Sequence, residues 1–414
     1  MKKNKLAAVL TACLVAATLF TAPTVKADGN DNFQIIHTVQ IKQYLVLEKG
    51  VSVPSVTFRY TLAPGLAATG DESTHEIMAG PAGAVFASGG STASVIFSPT
   101  DAAADESSAP SDSTIQFTTS DASDEAYVEK ALTVDLSGVT FSKPGIYRYV
   151  ITQEPSDIAG IISDSVNKRY LDVFVYKSDR TDEDEFVPGT VIVRLNNGLP
   201  DAEGKTDAAI KSTGFTNLFR TNSLGFQKSV TGNQASFRQY FKFTVKLTGE
   251  QTAFDGDTRV KVSGSFDAQP SENMATHYDA SVMAAANDGV EYVTLSQLTA
   301  SRDFYIKSGQ SVLLTGIPDG MGYEVAETQE DYTPSVEVTG DGECTPANSK
   351  VTDTSLTEDT MLEFTNTRNG LIPSTGIPSE LALPVAVMLA GVVEMALLVI
   401  RRIRKQASER NATE

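Results

Sequence analysis

Two copies of Phe-Thr-Asn, at 215–217 and 364–366, close two halves of a chain whose interior is written in β-strand periods. Val56-Thr57-Phe58-Arg59-Tyr60-Thr61-Leu62, Gly145-Ile146-Tyr147-Arg148-Tyr149-Val150-Ile151 and Tyr170-Leu171-Asp172-Val173-Phe174-Val175-Tyr176 alternate or run rich in aromatic and branched residues. Such runs are strands with one or both faces buried. Gly, Pro, Asn and Asp punctuate them, and helical periodicity is confined to the two chain ends. The expectation is an all-β protein of two sandwiches, 28–221 and 222–370. The stretch from Pro99 to Glu125, rich in Ala, Ser and Asp, is expected as a long, exposed, solvated insertion in the first.

The ends carry export signals. Lys2, Lys3 and Lys5 precede an apolar stretch from Leu6 to Phe20, and Val25-Lys26-Ala27 offers small residues at a peptidase spacing. Residues 1–27 therefore read as a cleaved signal peptide, with a mature start near Asp28. Leu10-Thr11-Ala12-Cys13 is no lipid site, because too little apolar core precedes Cys13. At the other end, Ile372-Pro373-Ser374-Thr375-Gly376 is followed by an apolar run from Leu381 to Ile400 and by Arg401-Arg402-Ile403-Arg404-Lys405. A run of that length can span a bilayer, and the basic cluster holds its end on the cytoplasmic side. The order resembles the sorting signal of Gram-positive surface proteins, which implies cleavage between Thr375 and Gly376 by a sortase and transfer to peptidoglycan or to a neighbouring subunit. Ile372 departs from the usual Leu-Pro-x-Thr-Gly and leaves the sortase class open. A plain membrane anchor is the other reading, although Pro384 and Glu394 interrupt the span.

The chain has 52 acidic against 33 basic residues, a net charge of −19. Several of the basic residues lie in the two end segments, so the part between is more acidic still. Such a surface repels nucleic acid and anionic membranes. Cys13 leaves with the signal, and Cys344 alone can form no internal disulfide. An exported protein without disulfides must find durability elsewhere.

The second half suggests where. Leu224, Phe226, Lys228 and Val230 fall on one face of its opening strand, so a lysine stands among core residues. Tyr323, Val325 and Glu327 share a face of a later strand, and Asn366 shares one with Leu362 and Phe364. Lys228, Glu327 and Asn366 are thus expected to converge in one apolar core. Desolvation lowers the pKa of the lysine and raises that of the glutamate, so the pair can be neutral amine and neutral acid. The amine can then attack the Asn366 carboxamide while Glu327 moves the protons, giving a Lys228–Asn366 isopeptide bond. The plainer alternative is a buried salt bridge, or a strand edge open to water.

Lys228-Ser229-Val230-Thr231-Gly232-Asn233, Tyr323-Glu324-Val325-Ala326-Glu327 and Phe364-Thr365-Asn366 resemble the isopeptide-linkage domains of Gram-positive backbone pilins. The first half resembles the same family through Phe141-Ser142-Lys143-Pro144-Gly145-Ile146-Tyr147-Arg148-Tyr149 and Gly214-Phe215-Thr216-Asn217. The resemblance implies two immunoglobulin-like sandwiches of the collagen-adhesin B type, ahead of a sorting signal at 371–414. It also implies a wall-anchored structural protein that serves as a pilus shaft.

The first half departs from the pattern. Val39, Ile41, Gln43, Leu45 and Leu47 share a face, as do Tyr147, Tyr149, Ile151 and Gln153, so glutamines fill the slots for lysine and glutamate. Two glutamines and Asn217 can satisfy one another, and this half is expected to lack a crosslink. Lys42 and Glu154 lie one residue away and could turn inward only through a bulge in each strand.

The same resemblance implies that, if the chain polymerises, a lysine near the end of the first domain accepts the Thr375 carbonyl of the next subunit. Lys205 and Lys211 are the candidates, with Lys177 a third. No cofactor and no metal are expected: only His37, His75 and His277 occur, and the acidic run Asp179 to Glu185 lacks the spacing of a calcium loop. Cys344 has no partner histidine in view, and no catalytic constellation of a hydrolase is present. The rival reading is a monomeric wall-anchored adhesin that binds a host ligand through its first domain.

Overall fold

A computed structural model describes residues 35–370, apart from 119–123, 179–184, 202–203, 205, 208–209, 250–253, 255, 272–276, 289–290 and 341–344. The chain divides into two compact units. The first comprises the chain up to Lys49 with Val56–Asp157 and Ile161–Phe219, and the second comprises Gly50–Ser55, Ile158–Gly160 and the chain from Arg220. Each unit is a sandwich of two β-sheets, and the protein is all-β as its strand periods require. The segments read as a signal peptide, a sorting pentapeptide and an apolar span at 381–400 lie outside the described residues. Among the described residues no helix is long and apolar enough to cross a membrane.

In the first unit the opening strand Thr38–Glu48 lies between Glu125–Asp135, antiparallel, and the closing strand Gly214–Phe219, parallel. The facing sheet runs Phe186–Arg194, Lys168–Lys177, Gly145–Gln153, Val56–Pro64 and Thr92–Phe97 in spatial order. Glycine begins the closing strand for a steric reason. A Cβ on Gly214 would stand 1.8 Å from the Lys42 carbonyl oxygen, so any side chain there would force the parallel pair apart.

The second unit repeats this plan. Its opening strand Thr221–Thr231 lies between Ser311–Pro318, antiparallel, and the closing strand Thr360–Thr367, parallel. The facing sheet runs Arg302–Lys307, Tyr240–Thr248, Gly322–Glu327, Lys350–Asp353 and Thr345–Ala347. Between the sheets lies one apolar core that includes Phe226, Phe243, Phe304, Val325 and Phe364.

Two expectations fail. The insertion after Pro99 is not a free solvated loop: Ala104, Ala109, Ile115 and Phe117 pack on Tyr44, Val46 and Tyr127 on the outer face of the first sheet. Thr114 fastens it, accepting from the Thr213 amide at 2.9 Å and donating its own amide to Thr213 Oγ1 at 3.0 Å. The opening strand is therefore covered on both faces, which explains the consecutive burial from Gln43 to Leu47. Helix is also not confined to the chain ends. Ala280–Asn287 begins at an Asp279 cap, and Leu295–Ala300 begins at a Thr294–Gln297 capping box. Short helices between strands are set by their caps, which periodicity over so few residues does not register.

Candidate crosslink site

In the second unit, Lys228 stands opposite Phe364 and Val230 opposite Asn366 in the parallel pair of opening and closing strands. Alternation turns Lys228 and Asn366 toward the same core, and Glu327 comes down from the facing sheet. The Lys228 ammonium lies 2.8 Å from Glu327 Oε1, and Asn366 Nδ2 donates to the same oxygen at 2.7 Å. Lys228 is 0% exposed, Glu327 4% and Asn366 2%. Phe241 closes one side, its ring centre 4.5 Å from Lys228 Nζ.

Charge in such a place is costly, and the site lowers the cost by weakening it. Burial pushes the Lys228 amine down to about 8, against the pull of Glu327. Burial likewise pushes the Glu327 carboxyl up, opposed by Lys228 and by the Asn366 hydrogen bond. The two shifts run toward each other, so burial narrows the gap between the charged pair and the neutral amine and acid. Glu327 Oε2 and Asn366 Oδ1 are buried without hydrogen-bond partners. Turning the carboxamide by roughly half a turn would exchange its nitrogen and oxygen and let a protonated Glu327 donate to Asn366 Oδ1.

The first unit holds the same constellation with different chemistry. Gln43 stands opposite Phe215 and Leu45 opposite Asn217, the register of Lys228 and Asn366. Gln43, Gln153 and Asn217 are all buried. Gln153 Nε2 donates to Gln43 Oε1 at 2.9 Å and to the Tyr60 hydroxyl at 3.0 Å, Tyr60 donates to Gln43 Oε1, and Gln43 Nε2 donates to the Tyr44 carbonyl at 2.7 Å.

Asn217 does not join this network as the sequence suggested. Its oxygen accepts from the Asp164 amide at 2.9 Å, because a buried ion pair has taken hold of the closing strand. Asp164 Oδ2 accepts from Arg169 at 2.6 Å and from the Thr216 amide at 2.8 Å. Arg169 donates to the Gly214 carbonyl at 2.7 Å and lies over Phe215, 4.4 Å from its ring centre. Sequence reasoning missed Tyr60, Asp164 and Arg169. Tyr60 alone left a signal, as the hydroxyl-bearing member of the inward set Val56, Phe58, Tyr60 and Leu62.

Lys42 and Glu154 are not turned inward. The opening strand pairs without a bulge on both sides, Lys42 forms an ion pair with Glu129, and Glu154 is exposed. Lys211 is partly exposed and its backbone forms an isolated antiparallel β-bridge with Arg194, whereas Lys177 is exposed at the end of its strand. Lys205, Cys344, Thr375 and Gly376 lie outside the described residues, as does most of the Asp179 to Glu185 run. Among the described residues no group of three or more His, Cys, Asp or Glu is placed to hold a metal.

Two β-sandwiches, each with a parallel pair of opening and closing strands, make a two-domain fold that solved pilin structures share. The crystal structure of the major pilin from Streptococcus pyogenes superposes with a TM-score of 0.50 at 19% identity, over 81% of this chain and 99% of that one. A pilin from Streptococcus pyogenes serotype M1 is 25% identical over 266 residues, 61% of this chain and 66% of that protein. The pilus tip adhesin Cpa of Streptococcus pyogenes is 30% identical over 161 residues, 39% of this chain and 18% of that protein. Residues 222–368 match a domain family of unknown function, DUF7601.

Proposed function

We propose that the chain is a structural subunit of a surface pilus, the shaft subunit, whose second domain is sealed by a Lys228–Asn366 isopeptide bond. The observation that supports this most directly is a buried amine and a buried carboxamide, from the first and last strands of one domain, both within hydrogen-bond reach of the buried Glu327 carboxyl. Neutral Lys228 attacks Cγ of Asn366, and the Nζ–Cγ bond forms. Glu327 donates to the carboxamide oxygen and passes the amine's proton to the leaving nitrogen. The Cγ–Nδ2 bond breaks and one ammonia departs. Glu327 is the catalytic group and acts once per molecule, so the protein is not a turnover enzyme.

The bond would join parallel neighbours, so tension on the two ends of the domain would load a covalent link in place of a hydrogen-bond ladder. In the first domain Gln43 cannot act as a nucleophile nor Gln153 as a proton shuttle, and that domain stays uncrosslinked. Export, cleavage at Thr375 by a sortase, and transfer of its carbonyl to peptidoglycan or to Lys211, Lys205 or Lys177 of a neighbour complete the reading. The match to a pilus tip adhesin keeps a second reading in view, a monomeric wall-anchored adhesin that binds a host surface ligand.

Peptide mapping of the full chain tests the crosslink. One lost ammonia and a linked pair of peptides bearing Lys228 and Asn366 support it, two lost ammonias would bring the first domain back in, and no loss removes the proposal. Wall extracts boiled in detergent test the assembly. A shaft subunit gives ladders that shorten in one of the three lysine variants, whereas a monomeric adhesin is released as a single band.

A further inference from the structure

Glu327 and Gln153 have register-equivalent partners. Phe243 pairs with Glu327 across antiparallel strands, and Tyr60 pairs with Gln153 in the same way. Both aromatic side chains are buried in the core between the sheets. Phe243 stacks on Phe226 at 5.2 Å and meets Phe364 edge-on at 5.1 Å, residues that flank Lys228 and Asn366 in their strands. Tyr60 takes the corresponding place, its ring 5.5 Å from Phe215, the counterpart of Phe364. The two positions differ by one hydroxyl.

We infer that this position is a further determinant of the crosslinking reaction, in which phenylalanine leaves the site reactive and tyrosine silences it. The Tyr60 oxygen sits between the two slots, donating to Gln43 and accepting from Gln153. Burial holds its phenol above the ordinary tyrosine value, so it remains a neutral donor. A carboxylate in slot 153 would accept that hydrogen bond. Hydrogen bonding to the charged form stabilises it, keeps the carboxyl ionised and so keeps a neighbouring amine protonated. A protonated amine has no lone pair for the carboxamide, and an ionised acid has no proton for the carboxamide oxygen. Phe243 offers no such donor. The second oxygen of Glu327 stays without a partner, and burial is then free to favour the neutral acid. Phe243 does not exchange protons with the reacting atoms, so its role is positional and electrostatic: it excludes a donor from the acid.

The inference rests on the reading that Lys228 and Asn366 condense, with the same bonds made and broken and one ammonia released. Its test begins in the second domain of the full chain, made in a cell-free system and quenched in acid at intervals. The linked peptides are counted for wild type, Phe243→Tyr and Phe243→Leu. Phe243→Tyr is expected to slow bond formation by about tenfold or more, the scale of one general-acid contribution partly lost. Phe243→Leu, which disturbs the packing more but adds no donor, stays closer to wild type.

The first domain supplies an independent arm. Gln43→Lys with Gln153→Glu should yield a second linked pair, to Asn217, slowly at best, and adding Tyr60→Phe should speed it by a similar factor. Wild-type rates in Phe243→Tyr, or equal rates with and without Tyr60→Phe, would overturn the inference. A wild-type chain that never loses ammonia would instead remove the crosslink reading beneath it.

Discussion

Gln43 and Lys228 occupy one structural position in two domains: each is fully buried on an opening strand, and each faces a phenylalanine two residues before an inward asparagine of the parallel closing strand. The backbone solution is shared and the chemistry is not. What surrounds the closing strand's asparagine therefore differs, a buried acid that meets both Lys228 and Asn366 in one case, a buried arginine–aspartate clamp beside Asn217 in the other.

Loss of the proposed crosslink should be visible as loss of stability. Lys228→Met and Asn366→Ala are expected to retain every ammonia and to destabilise the second domain by about 5 kcal/mol, the chain-entropy scale for opening a loop of more than a hundred residues. Glu327→Gln preserves shape and removes only the proton shuttle. It should leave Lys228 and Asn366 unlinked in a domain that still folds. Denaturant melts paired with peptide mapping check all three, and a linked pair in Glu327→Gln would contradict the assigned role.

The pH dependence of the uncrosslinked domain carries a definite sign. In Asn366→Ala, Lys228 remains titratable, with a folded-state value near 8 against 10.5 for the ordinary side chain. Between these values the unfolded chain holds a proton that the folded chain has released, so stability rises with pH across that window and levels off above it. Asn366→Ala combined with Lys228→Met should lack the rise. Glu327, raised by burial, works the other way: its stabilisation is present below 4.5 and is lost as pH rises through its folded-state value. Melts at stepped pH on the single and double variants measure both.

The clamp of the first domain should prove more fragile to mutation than its asparagine. Asp164→Asn leaves Arg169 buried beside a neutral partner and is expected to cost about 3–5 kcal/mol, as other half-broken buried pairs do. Asn217→Ala removes one hydrogen bond and should cost about 1–2 kcal/mol. Equal costs would show that the ion pair does not hold the strand. The second domain's peptide map should be unchanged in either variant.

The strap at Thr114 can be loosened by itself. Thr114→Val removes the two bonds its hydroxyl makes with Thr213, one from the Thr213 amide and one with Thr213 Oγ1, keeps the bond donated by its own amide, and should cost about 1–2 kcal/mol. Limited proteolysis is expected to nick between Ala104 and Phe117 sooner than in wild type, because the segment would open locally without global unfolding.

Much of the site was legible in the sequence because a strand has a period of two. Once Phe226 and Phe364 are inward, Lys228 and Asn366 must be inward as well, and the same rule placed Gln43, Gln153 and Asn217. The rule gives direction along one strand and says nothing of what arrives from elsewhere. Asn217 was expected to pair with the glutamines, yet Asp164, from the segment just before the strand Lys168–Lys177, reached it first. The Pro99–Glu125 segment read as solvated from its Ala, Ser and Asp content, but Ile115 and Phe117 were enough to lay it across Tyr127.

Sequence by itself determined the β-periods, the inward set on each strand and the replacement of an ionisable pair by two glutamines, because all of these follow from local alternation and residue chemistry. Tertiary structure alone decided that Lys228, Glu327 and Asn366 meet, that Tyr60 stands where Phe243 does, and that Arg169 and Asp164 grip the first domain's closing strand. Those facts depend on which strands become neighbours and in what register, and register is fixed only when two sheets close on a common core.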